Sequence, residues 1–358
     1  MSIDDAAPGQ SSRPGRNRAK ISDIARIVGV SEATVSRALR DDPQISEPTR
    51  IRAKQVAADL QYVPNLSARR LANKSSRTLG LMIPDVTDPM HAGVVTAFEA
   101  AAVERGYSVM VLNGSRDPQR EARGIREFQA HQADGVAFCG TISDLAQSAA
   151  AVRPGPAVFI GPEGTEQRSS RHFDIGGGCL FTDDEGGIVD LVTHLYATRR
   201  TRLSYVAGPP ISSDRIRRES IAVAIERLGF EPRVRAYAHA TSWAEYLRIV
   251  ELVERERPEA LVCYDDQVAL TLMSALRERG IRVPEDVAVT GFDDIPFARI
   301  AHPRLTTVAQ PTEAMGARAA MMLLEAIETG TMPRSETMAV ELVVRESSTA
   351  ASPVLSGR

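Results

Sequence analysis

The chain has 358 residues, of which 43% are hydrophobic and 25% are charged, and its formal net charge at pH 7 is −3. This length fits two or three domains, and this composition excludes a wholly disordered or fibrous protein. No apolar run reaches the roughly 18 to 20 residues that a membrane-spanning helix needs. The polar segment 1–18 also lacks the apolar core of a secretory signal, so we expect a cytoplasmic protein without a membrane partner.

The charge is divided unevenly along the chain. Residues 1–77 carry 14 Lys and Arg against 8 Asp and Glu, a net charge of +6. The other 281 residues carry 29 against 38, a net charge of −9. A basic first fifth predicts a module that binds a polyanion, attached to an acidic remainder with a different task.

The basic segment has the signals of a helix-turn-helix. Ser22 can cap a first short helix, which Gly29 ends by taking a left-handed backbone conformation. Ser31 can cap a second helix, with Glu32 favourable at the positive end of its dipole. Two short helices joined in this way predict a helix-turn-helix with a fixed crossing angle.

The second helix has an outward face of small and basic residues. If Val35, Ala38 and Leu39 face inward, the outward residues are Glu32, Ala33, Ser36, Arg37 and Arg40. Such a face can lie in a major groove, where an arginine pairs with guanine or phosphate. The alternative is that the two arginines are ordinary solvated charges.

A short basic segment follows the helix-turn-helix. Pro64 and Asn65 mark the start of a helix of about two turns, below the roughly 12 to 15 residues at which an isolated helix becomes marginally stable in water. We therefore expect this segment to fold when it meets DNA and its own symmetry mate. Leu71, next to Arg69 and Arg70, has the composition of a wedge that inserts into the minor groove.

These residues, in this order, resemble the LacI/GalR family of bacterial transcription regulators. The resemblance rests on Ile21–Ala25, Gly29–Leu39, Tyr62–Asn65 and Leu71, and it continues to about Ser348. It implies a homodimer, more often a repressor than an activator, that binds a pseudo-palindromic operator in double-stranded DNA.

The resemblance also implies which residues contact DNA. Phosphates would be contacted by Ser31, Thr34, Ser36 and Asn65. Bases would be contacted by Glu32, Ala33 and Arg37, while Ala68, Arg69 and Leu71 would contact the operator from the hinge, with Leu71 intercalating at its centre.

From Thr78 onward, short apolar runs alternate with helical stretches. The first series is Leu79–Ile83, Ser108–Leu112, Val136–Cys139 and Val158–Ile160, and the second, which begins near Leu180, contains Leu203–Val206, Ala260–Cys263 and Val287–Thr290. Continuous apolar strands between helices predict an α/β core of two doubly wound parallel-sheet lobes. The resemblance implies the same periplasmic-binding-protein-like core, with a small-molecule effector in the cleft between the lobes.

The expected domain organisation follows from these signals and from the resemblance, which implies three crossings between the lobes, near residues 178, 306 and 339. The expected parts are a disordered tail (1–18), the all-α helix-turn-helix domain (19–63), a hinge helix and linker (64–77), an N-terminal lobe (78–178 plus 306–338), a C-terminal lobe (179–305 plus 339–348) and a second tail (349–358).

Candidate effector ligands follow the predicted strands. Matched to the family motif, effector contacts would be made by Met90, His91, Asp183, Arg215, Asp266 and Asp293. Carboxylates and one arginine suit a sugar or another polar metabolite, although each side chain could instead be a helix cap or an interlobe salt bridge. Family members often have aromatic residues where Met90, His91 and Ala240 stand, which weakens a sugar assignment. Trp243 is interpreted as a packed helix residue.

Enzymes and solute receptors on the same two-lobed fold are the alternatives. The chain has no GxGxxG, GxxxxGK[ST], GxSxG or HExxH motif, and its six histidines form no cluster with metal-ligand spacing. Cys139, Cys179 and Cys263 are far apart and are predicted to be buried thiols. We expect no enzymatic activity, cofactor or metal. A solute receptor would need an export signal and no helix-turn-helix.

Overall fold

The structure is a computed structural model that describes residues 19–62, 75–140, 144–161, 177–229 and 235–349. The chain divides into two compact units between Ser76 and Arg77. The expected first tail (1–18), the expected second tail (349–358) apart from Thr349, and the expected hinge helix lie outside the described residues. Within the described ranges, no helix is both long enough and apolar enough to cross a membrane.

In its described residues, the first unit contains three helices around a small core. They are α1 (Ile21–Val28), α2 (Glu32–Ala38) and α3 (Glu47–Asp59). Ile24, Val35 and Val56 are buried together between them. Gly29 ends α1 with φ of 77°, the left-handed conformation that glycine adopts without strain.

The start of α1 differs from the prediction. Lys20 is the N-cap residue, and its backbone N–H donates to the Asp23 carboxylate at 2.9 Å. Ser22 is already inside the helix, because the helix begins at Ile21, which packs against the core. The Ser31 cap of α2 is as predicted, since its Oγ accepts the Thr34 N–H at 3.1 Å.

The second unit contains two sheets, each with six strands in the described residues. The first sheet contains β1 (Thr78–Ile83), β2 (Ser108–Asn113), β3 (Gly135–Cys139), β4 (Ala157–Ile160), β5 (Gly178–Thr182) and β11 (Glu336–Met338). The second sheet contains β6 (Leu203–Val206), β7 (Arg235–Tyr237), β8 (Ala260–Cys263), β9 (Ala288–Asp293), β10 (Thr306–Ala309) and β12 (Glu341–Val343).

Helices cover both faces of each sheet. On the first sheet these are α4 (Pro89–Glu104), α5 (Pro118–Ala130), α6 (Leu145–Ala151) and α12 (Thr312–Thr329). The second lobe contains α7 (Asp184–Ala197), α8 (Ser212–Leu228), α9 (Trp243–Glu256), α10 (Asp266–Glu278), α11 (Pro296–Ile300) and a short 3-10 helix (Glu346–Ser348).

The strand order has the doubly wound pattern in both lobes. The first sheet runs β11-β5-β4-β3-β1-β2 and the second runs β12-β10-β9-β8-β6-β7. The pairs within each sheet are parallel, except that β12 pairs antiparallel with β10. Strands β3, β4, β6 and β8 are buried along their whole length, because helices pack on both sides of them. The carboxyl ends of the parallel strands form one edge of each sheet, where ligands bind in such folds.

Helices α4 and α12 pack closely on one face of the first sheet. A Cβ atom added at Gly316 would lie 2.2 Å from the Val94 carbonyl oxygen. The contact therefore requires glycine at position 316, and α12, which arrives late in the sequence, is an integral part of the first lobe.

The chain crosses between the lobes three times. The crossings lie between Thr182 and Asp184, between Ala309 and Thr312, and between Met338 and Glu341. The first two are about four residues further along than the crossings expected near 178 and 306. The difference arises because β5 pairs with β4 of the first sheet, whereas β10 pairs with β9 of the second.

Candidate functional site

The amino-terminal turn of α2 presents polar side chains outward. Ser31 Oγ and Thr34 Oγ1 are hydrogen-bonded to each other at 2.8 Å, and Glu32 and Ala33 are exposed beside them. Ser36, one turn further along, is half-buried, while Val35 is buried in the core. Small and polar groups at the positive end of a helix dipole suit close approach to a phosphodiester backbone.

Arg37 lies on the same outward face and is held in place. Its Nε donates to the Asp42 carboxylate at 2.8 Å and its Nη2 donates to Gln44 Oε1. Arg40 differs, since its Nε donates to the Ser36 carbonyl of its own helix at 3.1 Å. The other predicted DNA contacts, Asn65, Ala68, Arg69 and Leu71, lie outside the described residues.

Met90 and His91 begin helix α4 at the carboxyl edge of the first sheet. Asp88 caps this helix by accepting the Met90 N–H at 2.9 Å. Met90 packs against the apolar clusters of both lobes, so it lies where the lobes meet. His91 is 2% exposed, with Nδ1 3.3 Å from the Asp88 carboxylate.

The surroundings of His91 favour the neutral imidazole by lowering its pKa. Burial lowers the pKa of its imidazole, and Arg116 lowers it further, against the attraction of Asp88 and Asp85. The Nδ1 atom is buried and has no partner with hydrogen-bond geometry among the described residues. A neutral imidazole can both donate and accept, so His91 is suited to a hydroxyl group.

Arg116 is a cleft residue that the sequence analysis missed. It follows β2, which pairs with β1 through Asn113 and Ile83, so its loop adjoins the loop that contains Asp85 and Asp88. Its φ of 49° is a left-handed conformation that side-chain-bearing residues rarely adopt. Its Nε atom is buried and makes no hydrogen bond within the described ranges. The rule applied to β1, that polar residues after a strand are ligand candidates, would have found it.

Arg217 is the central cation of the second lobe. It is 4% exposed, and its Nε donates to the Asp184 carboxylate at 3.2 Å while Nη1 donates to the Tyr264 carbonyl at 2.7 Å. Nη2 lies 3.7 Å from the Asp293 carboxylate, and the guanidinium lies 3.6 Å from the centroid of the Phe292 ring. Burial opposes the charge, but the carboxylates outweigh it and raise the pKa of Arg217.

Arg217 and Asp184 are buried, whereas their near neighbours Arg215 and Asp183, which were predicted to contact the effector, are exposed at the surface. The Arg215 side chain is 42% exposed and pairs with Glu219 at 2.9 Å, and Asp183 is exposed and caps α7 by accepting the Gly186 N–H at 3.0 Å. The reason is helical phase. Helix α8 begins at Ser212, and its buried residues are Asp214, Arg217, Ser220, Ile221 and Ala224. Arg217, Ile221 and Ala224 are spaced so that they lie on one face of a helix, and this spacing could have predicted that Arg217 faces the interior.

Asp266 is buried within the second lobe. Its two carboxylate oxygens accept the Thr307 hydroxyl at 2.5 Å and the Ile295 N–H at 2.8 Å. Burial raises the pKa of Asp266 to about 8. The Asp266 side chain therefore joins β10 to the loop after β9 in the interior of the second lobe.

Asp293 faces the cleft at the end of β9. Gln310 Nε2 donates to its carboxylate at 2.6 Å, and its backbone has φ of 112°. Burial raises the pKa of Asp293 and of Asp265, and the Asp88 carboxylate of the first lobe raises both further. The Asp88 carboxyl group of the first lobe therefore acts electrostatically on carboxyl groups of the second lobe.

Trp243 was interpreted as a packed helix residue, but its side chain is 41% exposed at the first position of α9. Ala240 is buried in the core of the second lobe. In the described residues, no three metal-ligating side chains come together. The three cysteines are buried thiols, as predicted.

Two family models match this chain, one in each of its two units. The family model for bacterial regulatory proteins of the lacI family matches residues 20–65, and the model for the periplasmic binding protein-like domain matches residues 192–348. The HTH-type transcriptional regulator GalR of Salmonella typhimurium (strain SL1344) is 31% identical over 313 residues, which are 86% of this chain and 89% of that protein.

Solved structures give the same result. The lac repressor dimer bound to operator and the anti-inducer ONPF is similar with a TM-score of 0.81 and 26% identity, over 93% of this chain and 100% of that one. The complex of the transcriptional regulator CelR with cellobiose is similar with a TM-score of 0.66 and 28% identity, over 92% and 100% of the two chains.

A helix-turn-helix unit joined to a two-lobed core with a polar cleft defines a class of ligand-responsive DNA-binding proteins. The comparisons identify the family within that class. The chain belongs to the lacI family of bacterial regulatory proteins and is a DNA-binding transcriptional regulator. The family and the fold class predicted from the sequence are confirmed.

Proposed function

We propose that the protein represses transcription by binding a pseudo-palindromic operator as a homodimer, and that a polar metabolite in the interlobe cleft changes its affinity for DNA. The observation that carries the proposal is the pairing of an exposed polar face on α2 with a second unit that has a buried arginine and several carboxylates at its cleft. Operator DNA and such a regulator both belong in the cytoplasm. The relatives are regulators, which supports binding and not catalysis as the activity.

DNA recognition is assigned to the outward face of α2 and to the hinge. Glu32, Ala33 and Arg37 contact bases, because they lie on the face opposite the buried Val35. Phosphates are contacted by Ser31, Thr34 and Ser36, which expose hydroxyl groups at or near the start of the helix. From the hinge, we retain Asn65, Ala68, Arg69 and Leu71 as operator contacts on the family resemblance.

The effector site is assigned to the cleft with a revised set of residues. The set comprises Met90, His91, Arg116, Arg217 and Asp293, with Asp88 and Asp265 on opposite sides of the opening. Carboxylates, a neutral imidazole and two guanidinium groups suit a ligand with many hydroxyl groups. Cellobiose is bound by the similar regulator CelR, which supports a sugar or a related polyol as the effector class.

The carboxyl groups at the cleft can also couple effector binding to closure of the lobes. Asp88 in the first lobe raises the pKa values of Asp265 and Asp293 in the second, so simultaneous ionisation of the three carboxyl groups is disfavoured in an empty cleft. Hydroxyl groups of an effector would donate to these carboxylates and hold the lobes together. A ligand that binds the closed state better shifts the population toward it, and the resulting movement of the first lobes would alter the pairing of the hinges on DNA.

A surface on α11 supports the homodimer. Phe297 and Ile300 are 55% and 68% exposed, although both are large and apolar. A cavity of about 520 Å³ adjoins this helix and is lined by residues that include Leu270, Met273 and Pro303. An exposed apolar patch beside a concave surface is typical of a protein interface.

The effector site is tested with Asp88→Asn, which keeps the cap of α4 because asparagine caps a helix as well as aspartate. A thermal-shift screen of the full chain against sugars, nucleosides and polyols finds a ligand that raises the melting temperature. Asp88→Asn should then weaken that ligand by about tenfold or more, since a hydrogen bond to a charged group contributes roughly 1.5 to 3 kcal/mol.

The matched control is Asp183→Asn, because Asp183 also caps a helix but is exposed. We expect Asp183→Asn to bind the ligand like the wild type. If Asp183→Asn weakens the ligand and Asp88→Asn does not, the first family-based assignment stands and the revised one fails.

A further inference from the structure

Among the described residues, the partners of the Arg37 guanidinium lie along one of its edges, and the other edge has no partner. Nε and Nη2 form the occupied edge, which donates to the Asp42 carboxylate and the Gln44 side-chain carbonyl. Nη1 and the second N–H of Nη2 form the other edge. A guanidinium has five N–H donors in a fixed plane, so the second edge can still donate two parallel hydrogen bonds. Two parallel donors are what the O6 and N7 atoms of guanine accept in the major groove.

Asp42 is itself fixed by the turn between α2 and α3. Its Oδ1 accepts the backbone N–H of Gln44 at 2.9 Å, while its own N–H donates to the Arg37 carbonyl at 3.2 Å. The Ile45 N–H donates to the Asp42 carbonyl at 3.0 Å. The carboxylate therefore cannot move away from the turn without loss of these bonds, and it provides a rigid anchor for Arg37.

Two effects on DNA binding follow from such an anchor. An arginine that is already ordered loses less side-chain entropy when it meets a base, and the cost avoided is roughly 0.5 to 1.5 kcal/mol for an immobilised long side chain. A carboxylate next to the guanidinium also offsets its charge, so Arg37 is attracted less to phosphates of any sequence. Both effects increase the difference between the correct operator and other DNA.

We infer that Asp42 and Gln44 are positioning residues for base recognition: they hold the Nε–Nη2 edge of Arg37, so that its other edge is presented to one guanine of the operator half-site. The inference rests on the proposed function, specifically on the assignment of Arg37 to a base. It names guanine as the base that Arg37 contacts and assigns roles to two residues of the turn.

The neighbouring aspartate provides a matched control. Asp41 lies in the same turn and is equally a salt-bridge partner, with oxygens 2.6 and 2.7 Å from Lys54 Nζ, but within the described residues the ion-pair partner of Arg37 is Asp42 and not Asp41. Its φ of 59° is tolerated by asparagine as well as by aspartate. Asp41→Asn and Asp42→Asn therefore remove the same charge from the same turn, and they differ in whether Arg37 loses its anchor.

The experiment uses the full-length protein and duplex DNA. Selection from a pool of random duplexes gives the preferred operator of the wild type, and operators with each base pair replaced in turn give the loss of affinity at every position. Arg37→Ala identifies the base pair that Arg37 contacts, which we expect to contain guanine. Melting curves of the variants establish that the first unit of each variant is folded.

At that base pair, Asp42→Asn and Gln44→Ala should each reduce discrimination by about three- to tenfold, which corresponds to the entropy cost given above. Asp42→Asn should also bind scrambled DNA somewhat more tightly and show a steeper dependence on salt. Asp41→Asn should leave discrimination at that base pair unchanged. In the Arg37→Ala background, Asp42→Asn should cause no further loss, because the two residues act through one contact.

Three outcomes would overturn the inference. Wild-type discrimination in both Asp42→Asn and Gln44→Ala would show that Arg37 needs no anchor. An equal loss at all base pairs would show that the turn has only a structural role. Tighter operator binding by Asp42→Asn without loss of discrimination would show that the contact holds Arg37 away from DNA. If Arg37→Ala itself leaves discrimination unchanged, the assignment of Arg37 in the proposed function fails as well, so the two failures are distinguishable.

Discussion

Arg215 and Arg217 are two residues apart on α8 and lie in opposite environments. Arg215 is half exposed and pairs with Glu219 one turn along the same helix, a type of surface pair that contributes little to stability. Arg217 is buried between Asp184, Asp293 and the face of Phe292. Removal of a buried charge leaves its partners unpaired, which costs far more than the pair itself contributes.

We expect Arg217→Ala to lower the free energy of unfolding of the second unit by about 3 to 5 kcal/mol, because two buried carboxylates lose their counter-ion. Arg215→Ala should change it by less than about 0.5 kcal/mol, as exposed substitutions usually do. Urea unfolding followed by circular dichroism measures both. Similar midpoints for the two variants would contradict the burial of Arg217.

The sequence was sufficient to predict the kinds of residue in the cleft but not which of two close candidates faces inward. Polar residues after strands were found because strand ends are visible as the ends of apolar runs. The choice between Arg215 and Arg217 depends on the residue at which α8 begins, and one residue shifts the helix face by 100°. The hydrogen bonds of Asp266 could not be predicted for another reason, since its partners Thr307 and Ile295 come from distant segments.

At the scale of elements, the short helix α11 lies between β9 and β10 and has an exposed apolar surface. Its Ala298 is buried in the core of the second lobe, so the helix is held firmly against it. Phe297 and Ile300 remain exposed on the other side. A rigid helix with an exposed apolar face is better explained by contact with a second subunit than by stability of the monomer.

The double variant Phe297→Asp with Ile300→Asp should therefore be monomeric, because charges disfavour burial in an apolar interface. Sedimentation velocity measures the state of association. Operator affinity should fall by roughly a hundredfold or more, since a dimer binds two half-sites together. Tyr196→Asp, also at an exposed residue, is the control and should remain dimeric. A dimeric double variant would remove α11 from the interface.

Local apolar patterns identify strands, but they do not predict the sheet to which each strand belongs. Apolar runs identified β1, β3, β4, β6 and β8, because burial on both faces requires them. The same apolar runs do not indicate which strands pair with each other in a sheet. Gly178–Thr182 therefore appeared to open the second lobe, whereas its hydrogen bonds to β4 and β11 make it part of the first. Strand pairing is decided by the whole sheet and not by the strand.

At the scale of the whole molecule, the second unit contains several carboxyl groups that are buried with raised pKa values. Burial raises the pKa of Asp265, of Asp266 to about 8, and of Asp293. In the unfolded chain these groups have pKa values near 4. Between these values the folded protein binds more protons than the unfolded chain, so its stability falls as the pH rises.

The free energy of unfolding of the second unit should thus be higher at pH 5.5 than at pH 8.5, by at least ~1.4 kcal/mol, the equivalent of one pKa unit for one group. Urea titrations at a series of pH values measure the slope. Asp266→Asn should reduce the slope, because one of the titrating groups is gone. Stability that rises over this range would show that these carboxyl groups are ionised in the folded protein.

The three crossings between the lobes have a mechanical consequence. A single connecting segment would allow the two lobes to rotate relative to each other about any axis. Three segments, at Thr182–Asp184, Ala309–Thr312 and Met338–Glu341, restrain one another, so that opening about a common axis is the motion that strains them least. The cleft therefore opens and closes mainly by rotation of the lobes about this one axis. Under the proposed function, an effector bound in the cleft would move the first lobe along that one direction, and little of its binding free energy would go into other movements of the lobes.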